Sequence, residues 1–240
     1  MFLSQLEINP RSRDAQRDLA DPYQMHRTLC RAFGSKAELE AARLLYRVDV
    51  LQNGATVVLV QTKTAPDWST LPSNYCLEAP PTKEWQPRLS DDQTLSFRLR
   101  ANPTVCKDGK RRGLYDEHAQ LMWLARKAEA CGFSLPQEEV EIEGKLVRRP
   151  AVQVVPEGET MTEKRENGCA VQFRRVDTIA GQHAKETGKA TGETKRALFS
   201  AARFDGILQV TDSNKLKETL ENGIGPAKAF GFGLLSLRRA

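Results

Sequence analysis

The stretch Asp21–Arg31, DPYQMHRTLCR, gathers reactive side chains in a chain that has only three histidines. Asp21 followed by Pro22 reads as a helix start, because Asp caps free N–H groups and Pro fits the first helical position. At 3.6 residues per turn, Met25, Leu29, Ala32 and Phe33 fall on one face. Tyr23, His26, Arg27, Cys30 and Arg31 fall on the opposite one. An imidazole held off an apolar stripe can take or give a proton near neutral pH. A phenol one turn away can donate a hydrogen bond. Arg27 and Arg31 can hold a phosphate by paired hydrogen bonds and stabilise extra charge on it. The pattern fits proton transfer at a phosphate, and a solvated polar face is the alternative. His118 reads as a capping or packing residue, and His183 as exposed in a Gly- and Lys-rich stretch.

The second distinctive stretch is GIGPAKAFGFGLLSL, Gly223 to Leu237. Gly223, Gly225, Gly231 and Gly233 crowd a turn together with Lys228. Glycines let backbone N–H groups approach an anion and form a nest for it, so a backbone–phosphate contact is expected. A tight structural connection is the alternative. A dinucleotide fingerprint would follow a strand and open a helix, whereas this stretch runs from helix to strand. It contains no Gly-Lys-Ser/Thr, which excludes a Walker loop. KAFGFGLL partly echoes the aromatic strand motif of RNA-recognition modules, with departures at Ala229, Gly233 and Leu235.

Alternating LSQLEI predicts a first strand with Leu6 and Ile8 inward, followed by the helix at Asp21. LLYRVDV and ATVVLVQT predict strands joined by a two-residue Asn53-Gly54 turn. A weakly signalled helix around TAPDWSTLPSN and a proline-broken edge strand in YCLEAPPTKEW complete strand–helix–strand–strand–helix–strand, the ferredoxin-like plan. Pro87–Asp92 reads as a linker. The plan then repeats with insertions. LSFRLRA is a strand with Leu95, Phe97 and Leu99 on one face and Arg98 and Arg100 on the other. A helix follows, with Leu121, Leu124, Ala125 and Ala128 inward and Gly132 at its end. EVEIEGKLVRR is a hairpin turning at Glu143-Gly144, CAVQFRRV and GILQVTD are strands, Asp212 caps a short helix, and GLLSLRR closes the unit. The expected fold is therefore α+β: two tandem ferredoxin-like (RRM-like) βαββαβ domains. Residues 1–86 form the first, 87–92 the linker and 93–240 the second.

The chain has a net charge of +5 at 240 residues, which points to an anionic partner without identifying one. Arg98–Arg112 is locally stronger, with six basic residues and one acidic. Read alone, such a run is a solvated loop. No apolar run approaches the ~18 residues of a membrane helix. The first residues carry no leader pattern, so a cytosolic protein is expected. The five cysteines, Cys30, Cys76, Cys106, Cys131 and Cys169, show no metal-ligand spacing and read as reduced small hydrophobes. The sequence offers no convincing carboxylate cluster for a metal.

Taken together, NPRSRDAQRDLADPYQMHRTL and GIGPAKAFGFGLLSL resemble one family over essentially the whole chain. It is the CRISPR-associated endoribonuclease that processes precursor CRISPR RNA in type I-E systems, the repeat-cleaving subunit of Cascade. The resemblance implies a substrate, the repeat RNA hairpin, cut at the 3′ base of its stem and retained for the other Cascade subunits. It makes His26 the catalytic histidine and Tyr23 its partner, with Arg31 where relatives use a basic residue. An arginine stabilises charge but does not readily shuttle a proton, so Arg31 is assigned electrostatics only. No metal or other cofactor is expected, because RNA carries its own 2′-hydroxyl nucleophile. In this context the basic run reads as RNA contact. The expected RNA-binding set is Arg27, Arg98, Arg100, Lys107, Lys110, Arg111, Arg112, Arg174, Arg175, Lys228 and the four loop glycines. The rival readings are a non-catalytic RNA-hairpin binder, a metal-dependent nuclease or small-molecule enzyme, and a structural subunit.

Overall fold

A computed structural model describes residues 1–142, 145–164, 174–176 and 195–240. In the first half, β1 (Phe2–Glu7) is followed by three helices, α1 (Arg13–Ala20), α2 (Pro22–Cys30) and α3 (Lys36–Ala42). Strands β2 (Leu45–Val50), β3 (Thr56–Thr62) and β4 (Thr82–Glu84) complete an antiparallel sheet of order β2-β3-β1-β4. Leu6 and Ile8 lie inward as expected, packed with Met25, Leu29, Tyr46 and Val58.

The second half begins with β5 (Thr94–Ala101), a hairpin of β6 (Thr104–Lys107) and β7 (Lys110–Gly113), and α4 (Glu117–Ala130). Then come β8 (Phe133–Ser134), the hairpin β9 (Gln137–Ile142) and β10 (Lys145–Pro150), β11 (Val152–Lys164) and β12 (Arg174–Val176). Strand β13 (Lys195–Val210), helix α5 (Ser213–Asn222) and β14 (Leu235–Arg239) complete it. The sheet order is β12-β11-β13-β5-β14, with β8 beside β13. In both halves the first and third strands of the βαββαβ plan are central, the fourth flanks the first and the second flanks the third. This is the tandem ferredoxin-like fold.

Several local expectations are corrected. The β2–β3 connection is a three-residue loop: Gly54 N–H donates to Leu51 O and Leu51 N–H to Ala55 O, with Gly54 at φ 81°. That is a turn ending in a glycine bulge, which preserves the strands' twist as a two-residue turn would. The second helix of the first half shrinks to one 3₁₀ turn, Trp68–Thr70, capped by Asp67. Helices α1 and α3 are additions, capped by Ser12 and by a Ser35–Glu38 capping box. On α4 the expected Leu124 and Ala128 are buried and Leu121 packs at the edge of the core, but Gln120 and Trp123 are buried beside them, Ala125 is only half-buried and His118 is exposed; Asp116 supplies the cap. Cys106 is exposed on β6 and is no core hydrophobe. The Glu143-Gly144 turn, Cys169, His183 and most of the Gly- and Lys-rich stretch lie outside the described residues.

The two halves meet through several polar contacts. The buried Arg47 of β2 pairs with Asp49 at 2.9 Å and donates to Arg98 O at 3.3 Å and Leu234 O at 3.5 Å. Gln61 donates to Leu220 O, and Lys63 pairs with Glu221 at 2.6 Å. A buried charge removed from its partner is costly, so Arg47 ties the two sheets to one relative position.

Candidate active site

Helix α2 forms where expected. The Asp21 carboxylate accepts from Tyr23 N–H at 2.8 Å and Gln24 N–H at 3.2 Å, with Pro22 in the first turn. Such a cap contributes about 1 kcal/mol. Met25, Leu29, Ala32 and Phe33 are buried. Below the helix, Tyr75 donates to the buried Asp18 carboxylate of α1 at 3.0 Å and sits 3.3 Å from Met25 Sδ. Arg17 closes the other oxygen of Asp18 at 2.7 Å. This network fixes α2 against α1.

The catalytic candidates differ in exposure. Tyr23 is 41% exposed. Arg27 and Arg31 are exposed, and Arg27 reaches Gln24 Oε1 at 3.4 Å. His26, in contrast, is half-buried. Its Nδ1 is buried without a hydrogen-bond partner, and its Nε2 lies 3.5 Å from Cys30 Sγ. Burial pushes the imidazole pKa below its usual 6.5, and no neighbouring charge contributes. Burial likewise pushes the Cys30 thiol up to about 11. At neutral pH both groups are uncharged.

The glycine-rich turn packs directly on α2. Its 3₁₀ segment, Lys228–Phe230, faces the helix. The Tyr46 hydroxyl, rising from β2, lies within hydrogen-bonding distance of Pro22 O and Ala229 O. All four loop glycines have positive φ, between 70° and 90°. A Cβ on Gly231 would sit 3.0 Å from the Tyr46 ring, and one on Gly225 3.0 Å from the Trp123 ring. A Cβ on Gly223 would sit 2.9 Å from Gly233 O and from Leu45. Gly223, Gly231 and Gly233 donate their N–H groups to Thr219 O, Lys228 O and Arg100 O. These three amides are engaged inside the protein, which argues for the tight-connection reading of the turn over the anion nest. Lys228 remains the charged group the turn presents beside α2.

The basic candidates separate into two kinds. Arg98 pairs with Asp205, and Arg100 pairs with Glu157 while stacking 4.5 Å over the Phe232 ring. Both are held by acidic partners, Asp205 on the adjacent β13 and Glu157 one strand further on β11. Lys107, Lys110, Arg111 and Arg112 are exposed on the β6–β7 hairpin, whose Asp108-Gly109 turn has φ of 54° and 70°. The Asp-Gly pair was the sequence signal for this hairpin. Arg174 and Arg175 lie on β12, paired in register with Met161 and Thr160.

The hairpin and the glycine turn share an anchor on β13. Phe199 packs on Phe230 and Phe232 of the turn, at 4.8 and 5.7 Å between ring centres. The adjacent Ser200, buried, donates to Pro103 O at 2.7 Å, and its N–H donates to Asn102 Oδ1 at 3.0 Å. Thus α2, the glycine turn and the root of the basic hairpin form a continuous structure. Tyr46, Arg47 and Phe199 were missed as contributors, because each acts through partners distant in the chain, whereas Cys30, one turn from His26, was read only as a reduced small hydrophobe.

Two tandem ferredoxin-like units, with an imidazole-bearing helix packed on a glycine-rich turn, define a class of RNA-recognition-like proteins equipped with a proton-transfer group. Residues 1–239 match the family described as CRISPR associated protein. The chain is 39% identical over 240 residues to CRISPR-associated endoribonuclease Cse3 of Thermus thermophilus, covering 99% of both. It is 27% identical over 242 residues to CRISPR system Cascade subunit CasE of Escherichia coli K12, covering 99% of this chain and 98% of that one. A solved structure, CRISPR endoribonuclease Cse3 bound to 19-nucleotide RNA, aligns with a TM-score of 0.74 at 37% identity, covering 99% of this chain and 100% of that one. The chain belongs to the CRISPR-associated Cse3/CasE endoribonuclease family of type I-E systems. No helix among the described residues is long and apolar enough to cross a membrane.

Proposed function

We propose that this protein binds the repeat hairpin of precursor CRISPR RNA, cuts it at the 3′ base of the stem and retains the product for the other Cascade subunits in the cytoplasm. The observation that carries the reading is the packing of the His26 helix on the glycine-rich turn, in a chain 39% identical to a named endoribonuclease. Residues 1–86 act as the helix-bearing domain, 87–92 as the linker and 93–240 as the domain that supplies the turn and the basic hairpin.

The reaction is transesterification within the RNA. The 2′-oxygen attacks the adjacent phosphorus as its proton passes to His26. The P–O5′ bond breaks and the 5′-oxygen takes a proton from solvent to become a hydroxyl. The imidazolium gives its proton to solvent, which restores the neutral ring. The products are a 2′,3′-cyclic phosphate and a 5′-hydroxyl, and no water is consumed. Positioning supplies much of the acceleration, since nucleophile and phosphate belong to one strand. Burial keeps His26 neutral near pH 7, the form able to accept the proton. Tyr23 donates a hydrogen bond to the phosphate, and Arg31 stabilises its added charge.

The exposed Lys107, Lys110, Arg111 and Arg112 follow the phosphates of the stem, and Lys228 and Arg27 those near the cut. A narrow A-form major groove is read through its phosphates. Incubation of end-labelled repeat RNA with the protein in EDTA tests the proposal. Cutting that persists with a cyclic-phosphate end supports it. Binding without cutting favours the non-catalytic hairpin binder, and loss of cutting on chelation favours a metal-dependent nuclease.

A further inference from the structure

Cys30 was given no role above, yet among the described residues its sulfur stands within hydrogen-bonding range of the His26 ring. The two residues are four apart on α2, so their side chains lie one above the other on the same face. Sγ stands 3.5 Å from Nε2, within the range of a sulfur hydrogen bond. The opposite ring nitrogen is buried without a partner. Nε2 is therefore the nitrogen left to exchange a proton with a substrate, and in the free protein it is engaged by the thiol.

We infer that Cys30 is the positioning residue of His26: its thiol holds Nε2 in one orientation in the free protein and yields that place to the RNA ribose when substrate binds. This deepens the function proposed above and rests on it. A thiol suits the task. It is a weak hydrogen-bond partner, so displacing it costs the substrate little. It also remains protonated near neutral pH, so it sets no negative charge beside the imidazole.

Other groups around the ring do not replace it. Asp21, Tyr23, Arg27 and Arg31 stand on the same helix or its caps, Arg17 and Asp18 on α1, Tyr46 on β2 and Lys228 on the facing turn. None of them contributes to the downward shift of the His26 pKa, which comes from burial alone. Cys30 is part of what buries the ring.

The test uses Cys30→Ala and Cys30→Ser in the full-length protein. The chain has only three histidines, so His26 is followed by NMR titration of its ring carbon–hydrogen signals without RNA, assigned with His26→Ala. Cys30→Ala should move the His26 midpoint up toward 6.5, and Cys30→Ser should keep it near the wild-type value. In single-turnover cleavage, Cys30→Ala should lose several-fold in rate and Cys30→Ser should recover most of it, with RNA affinity unchanged. An unchanged His26 titration in Cys30→Ala overturns the inference, even if the wild-type protein cuts RNA. Titration curves that shift as expected while no variant cuts RNA would instead overturn the nuclease reading.

Discussion

The Tyr46 hydroxyl lies 3.2 Å from the carbonyl oxygen of Ala229, 183 residues further along the chain, and 2.9 Å from that of Pro22. One phenol thereby joins the first turn of the histidine-bearing helix to the glycine-rich turn of the other half. Tyr46 is 1% exposed, and its single O–H proton serves one of the two carbonyls at a time, Pro22 O being the nearer.

Tyr46→Phe is expected to destabilise the protein by about 0.5–1.5 kcal/mol, the net worth of one hydrogen bond. Urea unfolding of the variant measures this. The cleavage rate at saturating RNA should fall as well, because the two walls of the site are no longer fixed to each other.

Gly231 and Gly54 have nearly the same backbone angle, φ 79° and 81°. A Cβ on Gly231 meets the Tyr46 ring at 3.0 Å, while one on Gly54 meets nothing within 4 Å. Both alanine variants carry the cost of positive φ, about 1–2 kcal/mol. Only Gly231→Ala should add the clash, so its melting temperature should be clearly the lower of the two. Equal values would show that the glycine turn is not packed on Tyr46 as described.

The lowered pKa of His26 fixes the sign of two pH effects. Below 6.5 the unfolded chain binds a proton that the folded chain still resists. Stability from this group is therefore complete above pH 6.5 and declines as pH falls toward the folded value. As a base acting from the neutral ring, His26 should give kcat/KM an acidic limb with its midpoint below 6.5. A kcat/KM that rises as pH falls through 6.5 would assign His26 the acid role instead.

The two kinds of basic residue predict different phenotypes. Lys110→Ala or Arg111→Ala, on the exposed hairpin, should weaken RNA binding and lower the salt slope by about 1 each, with stability unchanged. Arg98→Ala removes a partly exposed ion pair while Arg203 still holds Asp205, so it should cost at most about 1 kcal/mol of stability and change the salt slope little. Titrations of labelled hairpin at several salt concentrations, beside thermal melts, separate the two classes.

Much of this arrangement was legible locally. Asp21-Pro22 marked α2, alternation placed Leu95, Phe97 and Leu99 inward, and Asp212 and Gly223 bounded α5. What remained hidden depends on distant partners. The period of β5 put Arg98 and Arg100 on its outer face but could not name Asp205 on β13 and Glu157 on β11. The four glycines looked like an anion nest because φ freedom serves both purposes. Only the positions of Tyr46, Trp123 and Leu45 show that close packing requires them. The same holds for His26. Helical spacing set it off the apolar stripe, yet its ring is half-buried in the folded chain. Helix α1 escaped notice because its mostly polar sequence has no long apolar stripe, and Ser12 was its main signal.

The most direct test of the account is single-turnover cleavage of the repeat hairpin, in EDTA, by the wild-type protein and by His26→Ala, with binding measured in parallel. The account predicts that the wild type cuts, that the variant is slower by ~10²–10⁴-fold, and that its affinity stays within a few-fold. A variant that cuts at the wild-type rate, or that loses binding and cleavage in equal measure, would contradict it.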